Sequence, residues 1–217
     1  MRRTVSVVIT IAVLFIIVIA VGFFSLLKLA RVDRRLIKTS AELPYTSDYN
    51  LAQTNNDCGP YSCALVVRLL TKRKINMKEL IQNMEWRLPN HTTLPWGLEK
   101  LLKGYGVKIQ VPFLLLYSIE ERINYLKAQL SFLRPIILLG VKNGVGHYIT
   151  LLGFKGEEFY VYDSWHTIDP LKTGSYTRDE NGMLPGNLTL SARELADFWK
   201  GSENFFFFPW YALVASL

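Results

Sequence analysis

The sequence predicts an α+β domain, with helices packed on an antiparallel sheet, behind one amino-terminal apolar helix. Three observations predict it. Residues 5–27 form an unbroken uncharged run. Leu65, Val66, Leu69 and Leu70 have helical spacing, as do Ile119, Ile123, Leu126, Leu130 and Leu133. Short apolar runs at 136–141, 146–152 and 158–163 come later, the last two joined by the turn-forming Gly153-Phe154-Lys155-Gly156. Helices first and hairpin-linked strands afterwards segregate the two kinds of element, which is the α+β plan.

Composition narrows the classes. The 217 residues are 50% apolar, which excludes a disordered chain and suits one ordinary domain with an appendage. Two cysteines exclude a disulfide scaffold, and with three scattered histidines they give no structural metal site. No cofactor is expected. The net charge is +7, of which +6 falls in the first 40 residues: Arg2, Arg3, Lys28, Arg31, Arg34, Arg35 and Lys38 stand against Asp33. The nearly neutral remainder offers no concentrated basic surface, so nucleic acid is not expected as a partner.

The apolar run is long enough to cross a hydrocarbon core of about 30 Å at about 1.5 Å per residue. A secretory signal has a shorter apolar stretch and small residues before its cut site; here Lys28 occupies one of those positions in Lys28-Leu29-Ala30. Residues 1–30 therefore read as a retained single-pass anchor in the membrane, residues 31–50 as a juxtamembrane linker and residues 51–217 as the folded domain. The positive flank after the run favours a cytoplasmic body. A short basic leader before an apolar helix favours export, and an extracytoplasmic body is the expectation adopted.

In the body, Pro60 suits the first turn of a helix that has Cys58 at or just before its start and runs to about Leu70. Asn76 with Glu79 caps a short helix to about Met84. A third helix spans 93–103, closed by Gly104, and a strand spans 107–111. Ser118 with Glu121, and Ser191 with Glu194, are capping boxes. Pro135 ends the helix that Ser118 opens. Residues 205–213 read as a final aromatic strand, with Pro209 marking an edge or bulge. Trp96, Trp165, Trp199 and Trp210 read as packing residues.

The chemistry follows from the hairpin. Centring its turn on Lys155 sets His147 opposite Asp163, Ile149 opposite Val161 and Leu151 opposite Phe159 on one face. Directly opposed Cβ atoms lie roughly 4.5–5.5 Å apart, close enough for a carboxylate to fix an imidazole as a general base. Cys58 at a helix start is placed where N–H groups and helix charge favour a thiolate. Cys58, His147 and Asp163 are the parts of a nucleophile–base–acid triad. Gln53 and the Cys58 N–H supply donors for an oxyanion. Cys63, inside the helix, reads as a core residue. Asn90-His91-Thr92 and Asn187-Leu188-Thr189 are formal glycosylation sequons.

The block Gln53-Thr54-Asn55-Asn56-Asp57-Cys58-Gly59-Pro60, with Gly146-His147-Tyr148 and Val161-Tyr162-Asp163, resembles the bacteriocin-processing (double-glycine leader) peptidases, cysteine peptidase family 39. Leu101-Leu102-Lys103-Gly104-Tyr105-Gly106 is similar to their middle helix and strand. The resemblance covers about residues 51–213. It implies a papain-like fold, Cys58 as nucleophile, His147 as base, Asp163 as orienting acid and Gln53 as oxyanion donor, acting on a peptide or protein substrate. Ser164 stands where the family commonly has proline, and residues 167–190 are an insertion. Two alternatives keep the same parts: an amide transferase or transpeptidase using the triad, and a non-catalytic membrane-anchored binding module.

Overall fold

The computed structural model describes residues 13–18, 32–166, 177–205 and 207–217. Most of the apolar run at 5–27 lies outside them; residues 13–18 are helical and exposed. Among the described residues no helix is long and apolar enough to cross a membrane.

Local sequence sets the helices. Helix α1 (Cys58–Thr71) carries Pro60 in its first turn and stops where Lys72 takes a left-handed φ of 59°. Helix α2 (Met77–Gln82) is capped by Asn76, whose Oδ1 accepts from the Lys78 and Glu79 N–H groups. Helix α3 spans Pro95–Gly104. Helices α4 (Ile119–Ser131) and α5 (Ala192–Lys200) each begin with the expected capping box, on Ser118 and Ser191. The stripe of α4 is shorter than its spacing implies. Ile123, Leu126 and Leu130 are buried, but Ile119 at its start is exposed. Leu133 is exposed too, beyond a helix that has already ended, at φ 56°.

The strands are β1 (Ser40–Glu42), β2 (Lys108–Gln110), β3 (Ile136–Lys142), β4 (Val145–Lys155), β5 (Glu158–Tyr162), β6 (Leu188–Ser191) and β7 (Ala212–Ser216). They form one antiparallel sheet in the order β2-β7-β3-β4-β5-β6, and β1 pairs with the far end of β4 beyond the reach of β3. The central strands are buried on both faces. Ile136 and Leu138 of β3, with Ala212 and Val214 of β7, pack under α4 and α5. Ile137 and Leu139, with Leu213 and Ala215, pack under α1, α2 and α3. Two-sided burial explains why β3 reads as a continuous apolar run instead of an alternating one.

Two expectations are corrected. The last strand begins at Ala212, not at 205; Pro209 and Trp210 (φ 55°) fall in the irregular chain before it. The β4–β5 hairpin turns on Gly156 and Glu157, so Lys155 faces Glu158. Gly156 adopts φ +57° at the first central position, which a two-residue turn of this kind requires. An irregularity between Leu151 and Gly153 then shifts the register, and Leu151 faces Val161 instead of Phe159. The β3–β4 hairpin turns on Asn143-Gly144, both with positive φ, the strongest short-range hairpin signal.

Gly140 of β3 faces His147 across the pair, and α5 lies directly on it. A Cβ there would stand 2.4 Å from both Cε1 and the carbonyl oxygen of Phe198. Gly140→Ala is therefore expected to destabilise the protein by about 1–3 kcal/mol in urea unfolding, the usual range for overpacking. An unchanged unfolding midpoint would contradict this packing of α5 on β3.

Candidate active site

The segment before α1 is fastened to the end of β5. Gln53 N–H donates to the Ser164 carbonyl at 2.9 Å, and the Tyr162 hydroxyl donates to the Leu51 carbonyl at 2.7 Å. This sets Cys58, the first residue of α1 and buried, against the sheet. Asp57 holds the N-cap position but makes no cap bond with its side chain. Its carboxylate accepts from Thr54 Oγ1 at 2.9 Å and pairs with Arg87 instead.

His147 is 1% exposed and Asp163 2% exposed. His147 Nε2 lies 2.7 Å from Asp163 Oδ1. Asp163 stands one residue beyond the last β4–β5 pair, in a register two residues from the one that opposes it to His147. A shift of two preserves the face, so the two side chains meet diagonally. With Nε2 committed to Asp163, the other ring nitrogen remains for Cys58, whose side chain interacts with the imidazole. Trp165 and Phe198 stand edge-on to the ring, at centroid separations of 5.5 and 6.4 Å.

Burial opposes charge on both groups, and their mutual attraction overrides it. Burial pulls the His147 imidazole down, but the Asp163 carboxylate and hydrogen bonds to Asp163 and Cys58 raise it to about 9. Burial pushes the Asp163 carboxyl up, but His147 and Lys142 hold it well below the ordinary carboxylate range. The Cys63 thiol is raised by burial alone, in keeping with a core residue.

Gln53 is buried beside this pair. Its Oε1 accepts from the Ser164 hydroxyl at 2.8 Å, and its Nε2 donates to the Asn55 carbonyl at 2.9 Å. An amide nitrogen carries two hydrogens, so one more is available. The sequence-predicted residues thus gather at one place: His147 meets both Asp163 and Cys58, and Gln53 is joined to the residue after Asp163.

Three further residues hold the site. Lys142 Nζ lies 2.5 Å from Asp163 Oδ2, and the Trp165 N–H donates to Asp163 Oδ1 at 2.8 Å. Asn187, wholly buried, grips the Asp163 backbone twice: Oδ1 accepts from the Asp163 N–H and Nδ2 donates to its carbonyl, both at 2.9 Å. The sequon at Asn187 therefore has its amide committed inside the fold. The sequence carried no signal for the Lys142 and Asn187 roles beyond their polarity in otherwise apolar strand neighbourhoods.

The fold has a solved counterpart in a peptidase domain. It is similar to the peptidase domain of Streptococcus ComA, a bifunctional ABC transporter of a quorum-sensing pathway, at 16% identity and TM-score 0.50, covering 77% of this chain and 98% of that one. A double-glycine motif protease from an AMS/PCAT transporter, in complex with the leader peptide, aligns at 16% identity and TM-score 0.49 over 81% of this chain and 91% of that one. The Carica candamarcensis cysteine protease CMS1MS2, in complex with E-64, aligns at 12% identity and TM-score 0.46 over 83% and 99%. No protein-family model and no curated protein matches the sequence.

The paired shifts set a stability window. Asp163, depressed in the fold, contributes stability that is present above about pH 4 and lost on acidification. His147, raised to about 9, contributes stability that is present below about pH 6.5 and lost as pH climbs through 9. Unfolding free energy measured from pH 3 to 10 should fall on both sides of that interval. Asp163→Asn should flatten both limbs; equal slopes in variant and wild type would exclude the pair as their source.

Proposed function

We propose that this protein is a membrane-anchored cysteine peptidase that hydrolyses peptide bonds in a peptide or protein substrate. The observation that carries the reading is the buried imidazole of His147, held between the Asp163 carboxylate and the Cys58 side chain. Three distant stretches of chain deliver these groups, and a structural histidine has no need of such company.

In this mechanism the Cys58 Sγ proton resides on His147, as a thiolate–imidazolium pair, and the thiolate sulfur attacks the scissile carbonyl carbon. The carbonyl oxygen becomes an oxyanion, which accepts hydrogen bonds from the Cys58 N–H and from the free Nε2 hydrogen of Gln53. The tetrahedral adduct collapses, the C–N bond breaks, and the imidazolium gives its proton to the departing amine. A Cys58 acyl-thioester remains. Water, deprotonated by His147, attacks it; the C–S bond breaks and the thiol regains its proton. Asp163 keeps the ring oriented and its charged form stable throughout.

The anchor rests on the uncharged residues 5–27, and the body is placed on the extracytoplasmic side by the short basic leader. The full chain should stay with carbonate-washed membranes on fractionation. Release into the supernatant would exclude a spanning helix.

The activity is tested with a peptide library and mass spectrometry of the products. Wild type should cleave, Cys58→Ser should not, and Gln53→Ala should lose about 10²–10³-fold in turnover, more than the loss of its buried hydrogen bonds takes from stability. Iodoacetamide should label Cys58 in preference to Cys63. Equal cleavage by Cys58→Ser excludes the mechanism. Amine-trapped products would make the enzyme a transferase, and an unreactive Cys58 would leave a binding module.

A further inference from the structure

The hairpin β3–β4 brings a second cation to the catalytic carboxylate. Lys142 pairs with Val145 and Gly140 pairs with His147, so Lys142 and His147 lie on one face of the sheet, two residues apart along the strand direction. Gly140 has no side chain to intervene. The Asn143-Gly144 turn fixes the register, and the lysine reaches past Gly140 to Asp163. Its Nζ takes Oδ2 at 2.5 Å, while Oδ1 serves His147 at 2.7 Å. The Trp165 ring lies 5.5 Å from the ammonium on another side. The Lys142 side chain is 27% exposed, so it enters the site from the solvent edge.

This inference rests on the peptidase reading of the site. We infer that Lys142 is a positioning residue that acts through Asp163: its ammonium divides the carboxylate's charge with the imidazole, so that the imidazolium is stabilised yet still able to give up its proton. The carboxylate does not need Lys142 to stay in place. Asn187 clamps its backbone and the Trp165 N–H holds Oδ1. What Lys142 adds is charge. An imidazolium facing a bare buried carboxylate would be too weak an acid to protonate the leaving amine readily. The charged and titratable groups facing the ring are Asp163 after β5 and Cys58 from α1, and Lys142 from β3 stands behind Asp163 on its other oxygen; α5 and the chain after Asp163 present the uncharged rings of Phe198 and Trp165.

The test is an NMR titration of the full chain carrying Cys58→Ala, with ring-labelled histidine; the sequence has three histidines, so the signals are few. Adding Lys142→Met or Lys142→Gln removes a like charge, and the His147 titration point should rise by about one pH unit. Lys142→Arg keeps the charge and should leave it unchanged. A purely structural lysine predicts the opposite sign, because a loosened Asp163 lets the ring fall back toward its ordinary value. An unchanged or lowered titration point in both neutral variants overturns the inference, as does a rise in the Arg variant. Unfolding of both neutral variants overturns it as well, since Lys142 would then serve the fold. The measurement uses an inactive chain, so failure of peptide cleavage by wild type would sink the peptidase reading and leave this result standing.

Discussion

The site depends on keeping one buried carboxylate charged. Isolated in a protein interior, an ionised carboxyl group is costly by several kcal/mol, and it persists only when paired and hydrogen-bonded. Asp163 meets that condition with donors on both oxygens: the imidazole and the Trp165 N–H on Oδ1, the Lys142 ammonium on Oδ2. The carboxylate in turn holds His147 charged where burial would neutralise it. Each group is tolerable inside the fold because of the other. That mutual dependence ties the end of β5 to the start of β4 and makes their geometry a matter of electrostatics as well as sheet pairing.

Asp163 and its successor also join the two halves of the site. Ser164 accepts the Gln53 N–H on its carbonyl and gives its hydroxyl to the Gln53 side chain. Adjacent residues therefore orient the imidazole and the Gln53 amide. The family resembled by the sequence commonly has proline at this position, which carries no hydroxyl to give. Here the serine hydroxyl engages the Gln53 carbonyl oxygen, which leaves the amide nitrogen to the Asn55 carbonyl. Asn187 fixes the backbone of Asp163 itself, so a residue 24 positions later in the chain underwrites both orientations.

Much of this was legible because the relevant forces are local. The capping boxes, the start of α1 at Cys58 and the hairpin sequence all act within a few residues. The His147–Asp163 pair was legible for a subtler reason. The turn sits on Gly156-Glu157, three residues' worth of register from a turn centred on Lys155, and the irregularity near Leu152 returns one of them. The net shift of two keeps both side chains on one face, whereas a shift of one would have separated them. The Phe-rich stretch before β7 misled because its β-forming side chains suggest a strand, while Pro209 and the left-handed Trp210 divert the backbone. Lys142 and Asn187 were illegible: each reaches Asp163 only after two hairpin-scale pairings are fixed, and no spacing in the sequence encodes that.

Asp57 holds the N-cap position of α1 without capping it. An aspartate at an N-cap ordinarily accepts the N–H groups of the first turn. Asp57 is turned away, with its carboxylate on Thr54 and Arg87. Two consequences follow for Cys58, its neighbour. The first-turn N–H groups receive no side-chain cap from Asp57 and keep their partial positive charge directed at the space beside the sulfur. The negative charge of Asp57 is neutralised by a guanidinium that is itself largely buried, so it does not oppose negative charge developing on the reacting atoms. Arg87 belongs to the segment linked by the Arg87–Thr93 bridge, and Thr93 in turn accepts the Tyr148 hydroxyl on its carbonyl. The loop that neutralises Asp57 is thereby pinned to the strand that carries His147, and the electrostatics around the sulfur and around the ring are set by one connected framework.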